Sequence, residues 1–244
     1  WARRGVRYVG VTHMWHSQFG DSSNPKVQWD EGESLHAGLT PLGRRLVAKL
    51  NDLGVMVDVS HAAKSTMLEA TALSRVPVIA SHSGVMGVAK SARNLDDGQL
   101  LAIKANGGVV QLVALGAYVK ALTPQQEAYK LTVREQMGLQ EDKKLFAMTE
   151  EQAEAYAVKL APMDDLAPPA SVADFADHID YAVNIMGIDH VGISSDFDGG
   201  GGIVGWKDAS ETANLTAEML KRGYSEEDVA KIWGGNLLRV MEAV

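Results

Sequence analysis

Gly54-Val55-Met56-Val57-Asp58-Val59-Ser60-His61 is an apolar run that ends directly on a histidine. Its apolar residues are nearly consecutive instead of being spaced at helical intervals, which is the pattern of a strand covered on both faces. Four more runs, at residues 6–12, 76–80, 108–114 and 190–194, have the same character and are bounded by Gly, Asn or Pro. Helices are predicted between most of them. After Thr40, an N-cap with Pro41 at the first helical position, Leu42, Leu46, Val47, Leu50 and Leu53 share one face until Gly54 stops the helix. Ser171 with Asp174 forms a capping-box pattern, followed by a stripe of Val172, Phe175, Ile179, Ala182, Val183 and Met186 that Gly187 ends. Ser225 with Asp228 opens a last helix. Alternating strands and helices predict an α/β fold with a parallel sheet and right-handed crossovers. Residues 120–170 interrupt the rhythm with a polar, helical stretch that closes on Ala167-Pro168-Pro169, and this is expected to be an insertion within one domain spanning 1–244.

The bulk properties narrow the function. At 244 residues and 46% apolar, the chain is long enough for one substantial core, about the size of an α/β barrel. A net charge of -8 and no cluster of Lys and Arg exclude a nucleic-acid partner of the usual basic kind. No run approaches the roughly 20 apolar residues of a membrane span. The first residue is Trp1 and not Met, so residues upstream are expected to have been removed or left out. The compartment is left open, with a periplasmic or secreted setting favoured. With no cysteine, only His, Asp and Glu can serve as metal ligands.

Four of the five strands run into a chemically active side chain: Thr12-His13, Ser60-His61, Ser81-His82 and Ser195-Asp196. In parallel α/β barrels the C-terminal strand ends share one pocket, so these groups are expected to converge. Three histidines and an aspartate suit a borderline cation such as zinc. Taken singly, each histidine after a strand reads as a structural or capping residue; recurrence favours the metal reading. His16 and His36 fall in a Gly-, Ser- and Asn-rich loop and are expected to be exposed. His178 lies on a helix, and His190 starts a strand at the end away from the chemistry. Asp58 is a candidate to orient an imidazole from behind. Asp198 reads as a turn residue before Gly199. Arg93 reads on its own as a solvated loop arginine, and Tyr118 as packing.

Read together, Gly5-Val-Arg-Tyr-Val-Gly-Val-Thr-His13, Gly38-Leu-Thr-Pro-Leu-Gly43, Asp58-Val-Ser-His61, Pro77-Val-Ile-Ala-Ser-His82-Ser83, Arg93-Asn94, Asp196-Phe-Asp-Gly199 and Gly235-Asn-Leu-Leu-Arg239 resemble the membrane (renal) dipeptidase family of zinc peptidases. The resemblance implies a (β/α)8 TIM-type barrel of which this chain supplies strands four to eight, the first three strand-helix units being absent. It also implies zinc, two ions in the complete protein, with His61 and His82 as metal ligands. In the same way His13 would hold the oxygen of the attacked carbonyl, Asp196 would be the acid/base, and Arg93, with Tyr118 beside it, would take the substrate's terminal carboxylate. The implied substrate is a dipeptide, L-Xaa-D-Xaa included. A homodimer is left open. The family's His-x-Asp pair after its first strand and its metal-bridging Glu after the third have no counterpart here, so the chain is expected to be part of a longer polypeptide. Two other readings remain open from the residues alone. One is a metal-dependent amidohydrolase acting on a cyclic amide, lactone or phosphoester; the other is a non-catalytic peptide-binding barrel.

Overall fold

A computed structural model describes residues 1–25, 32–141, 144–145 and 147–244. Of the expected helical insertion, residues 142, 143 and 146 lie outside this set. In chain order the elements are β1 (Tyr8–Gly10), α1 (Pro41–Asp52), β2 (Met56–Asp58), α2 (Lys64–Leu73), β3 (Ile79–Val85), β4 (Asn94–Leu95), α3 (Asp97–Asn106) and β5 (Val109–Val113). There follow α4 (Gly116–Val119), α5 (Pro124–Gln136), α6 (Glu150–Leu160), α7 (Met163–Leu166), α8 (Val172–Met186), β6 (Val191–Ser194), α9 (Thr212–Lys221), α10 (Glu226–Ala230) and α11 (Asn236–Glu242). A π-helical turn, Lys231–Gly235, joins the last two.

The sheet runs β1-β2-β3-β5-β6, with the short β4 paired to β3, and every pairing is parallel. It is an open arc of the (β/α)-barrel kind. Helices α2, α3, α8 and α9 cover it and enclose the core, where Met67, Leu100, Ile103, Phe175, Ile179, Met186, Leu215 and Met219 are fully buried beside Val57, Val110, Leu112 and Val191. The helix signals act as expected. The Thr40 side chain accepts from Gly43 N, and Ser171–Asp174 and Ser225–Asp228 close complete capping boxes. On α1, however, Val47 and Leu50 are buried while Leu42 and Leu53 are exposed, so its apolar stripe is narrower than the spacing predicts.

The third strand is displaced from its expected place at 76–80. Pro77 has no N–H to give a ladder, and the next amide, Val78 N, donates to the Asn106 side chain at 2.7 Å. Pairing therefore starts at Ile79 and continues through Ser81 and His82 to Val85, with a register shift between Ala80 and Ser83. His82 lies inside this strand at the irregularity, not beyond its end.

The loop between β1 and α1 corrects a second expectation. His16 is 7% exposed; its Nδ1 accepts from Ser22 N at 3.0 Å, so Nε2–H donates to Gly32 O at 2.9 Å. Beside it the fully buried Asp21 carboxylate accepts from Ser34 Oγ, Leu35 N and His36 N at 2.6, 3.0 and 2.9 Å. His36 itself is half-buried. Two ring and carboxylate centres thus fold this loop on its own backbone, which polar composition alone does not reveal.

Burial alone would raise the Asp21 carboxyl, but the bonds from Ser34, Leu35 and His36, with His16 nearby, together hold it below the usual carboxylate range. A depressed folded value means that the unfolded chain binds the proton more readily. The stabilisation is then complete above the unfolded value of about 3.9 and is lost as pH falls below it. Asp21→Ala is expected to cost about 2 kcal/mol at neutral pH through the unpaired donors. It should also flatten the acid limb of stability, as read by urea denaturation at neutral pH and at pH near 3. An unchanged midpoint in both conditions would show that the carboxylate does not organise the loop.

Candidate functional site

Parallel strands deliver their C-terminal ends to one surface, and four sequence-predicted residues arrive there from β1, β2, β3 and β6. The His13 and His61 rings lie 4.3 Å apart between centroids, and the His61 and His82 rings 4.8 Å apart. Nε2 of His61 and Nε2 of His82 are separated by 2.8 Å. His13 is exposed at the mouth, His61 is buried and Asp196 is half-buried.

Two of these residues sit in backbone conformations that L side chains rarely adopt. Among the described residues, only Ala37, His61 and Asp196 have positive φ without being glycine, at 57°, 65° and 52°. Such positions cost about 1–3 kcal/mol and persist only when their surroundings over-determine them. At His61 the surroundings are Ser23 N, which donates to its carbonyl at 2.8 Å, and Ser22, whose hydroxyl bonds His13 O at 2.5 Å close by. At Asp196 they are Gly199 N and Gly201 N, donating to its carbonyl at 2.9 and 2.8 Å, while the next residue, Phe197, packs edge-on against Trp206.

Asp58 reaches His82 through one intermediate. Its carboxylate accepts from Ser60 N, Ser81 N and Ser81 Oγ at 3.0, 3.0 and 2.6 Å, and Ser81 Oγ lies 2.7 Å from His82 Nδ1. Ser60 Oγ takes the His82 N–H at 3.0 Å. The two Ser-His dipeptides, Ser60-His61 and Ser81-His82, carry this wiring, and their repetition is the signal that could have revealed it.

Burial, followed by the charge of Arg93, lowers both imidazoles: His61 falls to about 2, and His82 falls despite the opposing pull of Asp58 and Asp196. Both rings are therefore neutral near pH 7 and have nitrogen lone pairs to offer. Arg93 is no solvated loop residue: it is 3% exposed, its Nη2 donates to His82 O at 3.0 Å, and its guanidinium lies 5.6 Å from the Tyr118 ring centre. The placement reflects β4, whose pairing with β3 draws the segment around Arg93 inward. Its Nε has no hydrogen-bond partner among the described residues. A cavity of about 80 Å3 separates His61 from Arg93, walled also by Ser83, Asn94 and Asp96.

The remaining candidates are structural. His178 is 1% exposed, accepts from Val85 N and donates to Val119 O, tying α8 to β3 and α4. His190 bonds Gly108 O, and Asp198 is exposed in its turn.

Two neutral imidazole nitrogens 2.8 Å apart come within about half an ångström of the ~3.4 Å between two tetrahedral zinc ligands, so the pair fits part of a zinc donor set. Among the described residues, no group of three or more His, Cys, Asp and Glu is arranged to hold a metal ion. No helix among them is long and apolar enough to cross a membrane.

Comparison with known proteins places this geometry. The family model described as membrane dipeptidase (peptidase family M19) matches residues 1–244. Dipeptidase aclJ of Aspergillus oryzae is 32% identical over 238 residues, which cover 97% of this chain and 45% of that protein. Dipeptidase tcpJ of Claviceps purpurea is 30% identical over 243 residues, covering 99% and 45%. The crystal structure of the probable dipeptidase PvdM from Pseudomonas aeruginosa matches with a TM-score of 0.85 at 39% identity, over 100% of this chain and 64% of that one. A metallo peptidase from Rhodobacter sphaeroides, liganded with a phosphinate mimic of the dipeptide L-Ala-D-Ala, matches with a TM-score of 0.71 at 26% identity, over 99% and 56%. The chain thus spans about half the length of the curated relatives it matches.

The depressed His61 gives the site a pH signature. In the unfolded chain this histidine gains its proton near pH 6.5, and in the folded metal-free protein only near about 2, so stability declines as pH falls below about 6.5. Imidazole NMR of the metal-free protein is expected to show His61 neutral at pH 5, and His61→Gln should remove part of the acid slope. Protonation of His61 near pH 6.5 in the folded state would refute the burial argument.

Proposed function

The chain belongs to the membrane dipeptidase family, peptidase family M19, and on that premise we propose that it forms the C-terminal part of a zinc-dependent dipeptidase site. In this reading residues 1–244 are one catalytic unit and 120–170 a helical insertion within it. The observation that carries the reading is the pair of neutral imidazoles, His61 and His82, meeting beside the buried guanidinium of Arg93 at the C-terminal strand ends. His61 and His82 act as ligands to one of two zinc ions, with the other ligands coming from outside this chain. When bound, zinc acidifies a coordinated water and polarises a carbonyl oxygen.

This chain's residues supply the rest. Asp196 takes the proton of the attacking water and passes it to the leaving amine, a role suited to a half-buried carboxyl on a tightly held turn. His13, exposed and with its ring tilted against that of His61, donates to the carbonyl oxygen as charge develops there. Arg93 binds the substrate's free carboxylate with Tyr118 against its face, and its unpartnered Nε is the donor left over for that ligand. This selects short substrates with a free C-terminal carboxylate, dipeptides including L-Xaa-D-Xaa. A cyclic amide or lactone has no such anionic group and would leave the buried guanidinium unmatched.

In the full-length protein, His61→Ala or His82→Ala is expected to abolish dipeptide hydrolysis and to lower the zinc bound per chain, measured by elemental mass spectrometry. Undiminished zinc would refute the ligand assignment. Loss of a charge-assisted pair of ~1.5–3 kcal/mol predicts that Arg93→Ala raises KM for dipeptides by roughly 10- to 100-fold, with far less effect on substrates whose C-terminus is blocked. Equal losses for both substrate types would assign Arg93 another task, and turnover of cyclic amides with no dipeptide hydrolysis would replace the reading altogether.

A further inference from the structure

The histidine pair is wired unequally, and hydrogen-bond accounting shows how. An ionised carboxylate only accepts, and a serine hydroxyl owns one hydrogen. Asp58 takes that hydrogen from Ser81 at 2.6 Å while also accepting the N–H groups of Ser60 and Ser81. The contact of 2.7 Å between Ser81 Oγ and His82 Nδ1 then has only one polarity: Nδ1–H donates to the hydroxyl oxygen. A neutral imidazole carries one N–H, so His82 Nε2 is bare and faces His61 Nε2 at 2.8 Å. Two bare nitrogens at that distance repel, so His61 supplies the proton between them and keeps its own Nδ1 bare. That atom is buried and has no partner among the described residues. His82 is fixed from behind, whereas among the described residues the His61 ring hydrogen-bonds only its partner.

We propose that Ser81 is a positioning residue that locks His82 in the Nδ1–H tautomer with Nε2 presented to a cation, while His61 rests in the opposite tautomer. A cation held at His61 Nε2 would require that ring's proton to sit on Nδ1, with no net change in protonation. His82 is thus ready for the ion before it arrives and His61 is not. The metal half of this inference rests on the ligand assignment proposed above; the tautomer half stands on the hydrogen bonds of two neutral rings.

The test uses metal-stripped full-length protein with 15N-labelled histidine, comparing wild type, Ser81→Ala and Ser81→Thr by long-range 1H–15N correlation at neutral pH. Zinc affinity is measured in parallel by chelator competition. Wild type is expected to show His82 protonated at Nδ1 and His61 at Nε2. Ser81→Ala should lose the His82 preference and bind zinc roughly 10- to 100-fold more weakly, the usual effect of losing such support behind a ligand, and Ser81→Thr should restore both. An Nε2–H tautomer at His82 in wild type, or a Ser81→Ala protein with unchanged spectrum and unchanged zinc affinity, overturns the proposal. If wild type binds no zinc, the ligand assignment fails, and the tautomer spectra still decide the role of Ser81.

Discussion

The Asp58 carboxylate, buried where β2 ends, is the constraint around which this site is assembled. A buried carboxylate is tolerated only when donors surround it, and the three it finds come from the two strands that carry the histidines. The ladder between β2 and β3 has a single register pair, Asp58 with Ile79. The side-chain bonds to Ser81 therefore extend a junction that backbone pairing alone leaves short. They also locate the irregularity of β3 and with it the direction of His82. Moving Asp58 would disturb strand pairing, strand shape and imidazole orientation together.

The architecture was legible in the sequence because its signals are local. Consecutive β-branched residues, capping pairs such as Ser171–Asp174, and stop glycines such as Gly187 each act within a few residues, and each marks its element in the structure. The convergence of His13, His61 and His82 was legible for a topological reason: parallel strands leave no other place for their C-terminal ends. What local signals cannot carry is the identity of a partner far along the chain. Arg93 reads as a solvated residue because its neighbours are polar, yet it is buried against His82 and Tyr118, the latter 25 positions on. His16 is internal because Asp21 and the Ser22 amide give its loop a polar centre of its own. The start of β3 was misjudged because the run of apolar residues begins before Pro77, whereas pairing can only begin after it.

The outer packing and the site differ in how complete they are. Between the sheet and helices α2, α3, α8 and α9 the core is closed, with Phe175, Ile179 and Met186 fully covered. The site side presents two imidazole nitrogens 2.8 Å apart, where a catalytic zinc ordinarily takes three protein ligands. Since the chain spans 45% of the length of the fungal dipeptidases it matches, the polarity is instructive. His13, His61, His82, Arg93 and Asp196 all lie in this half, with Asp58 at the β2–β3 junction behind His82.

His61 combines the lone pair proposed above to bind metal with a φ of 65° that favours glycine. Glycine there would relax the backbone and erase the donor, so selection for folding and selection for activity pull this one position in opposite directions. Random drift in a lineage that no longer needs the activity should therefore reach Gly, Asn or Asp at position 61 early, and a relative carrying one of them can be read as a folded, silenced descendant.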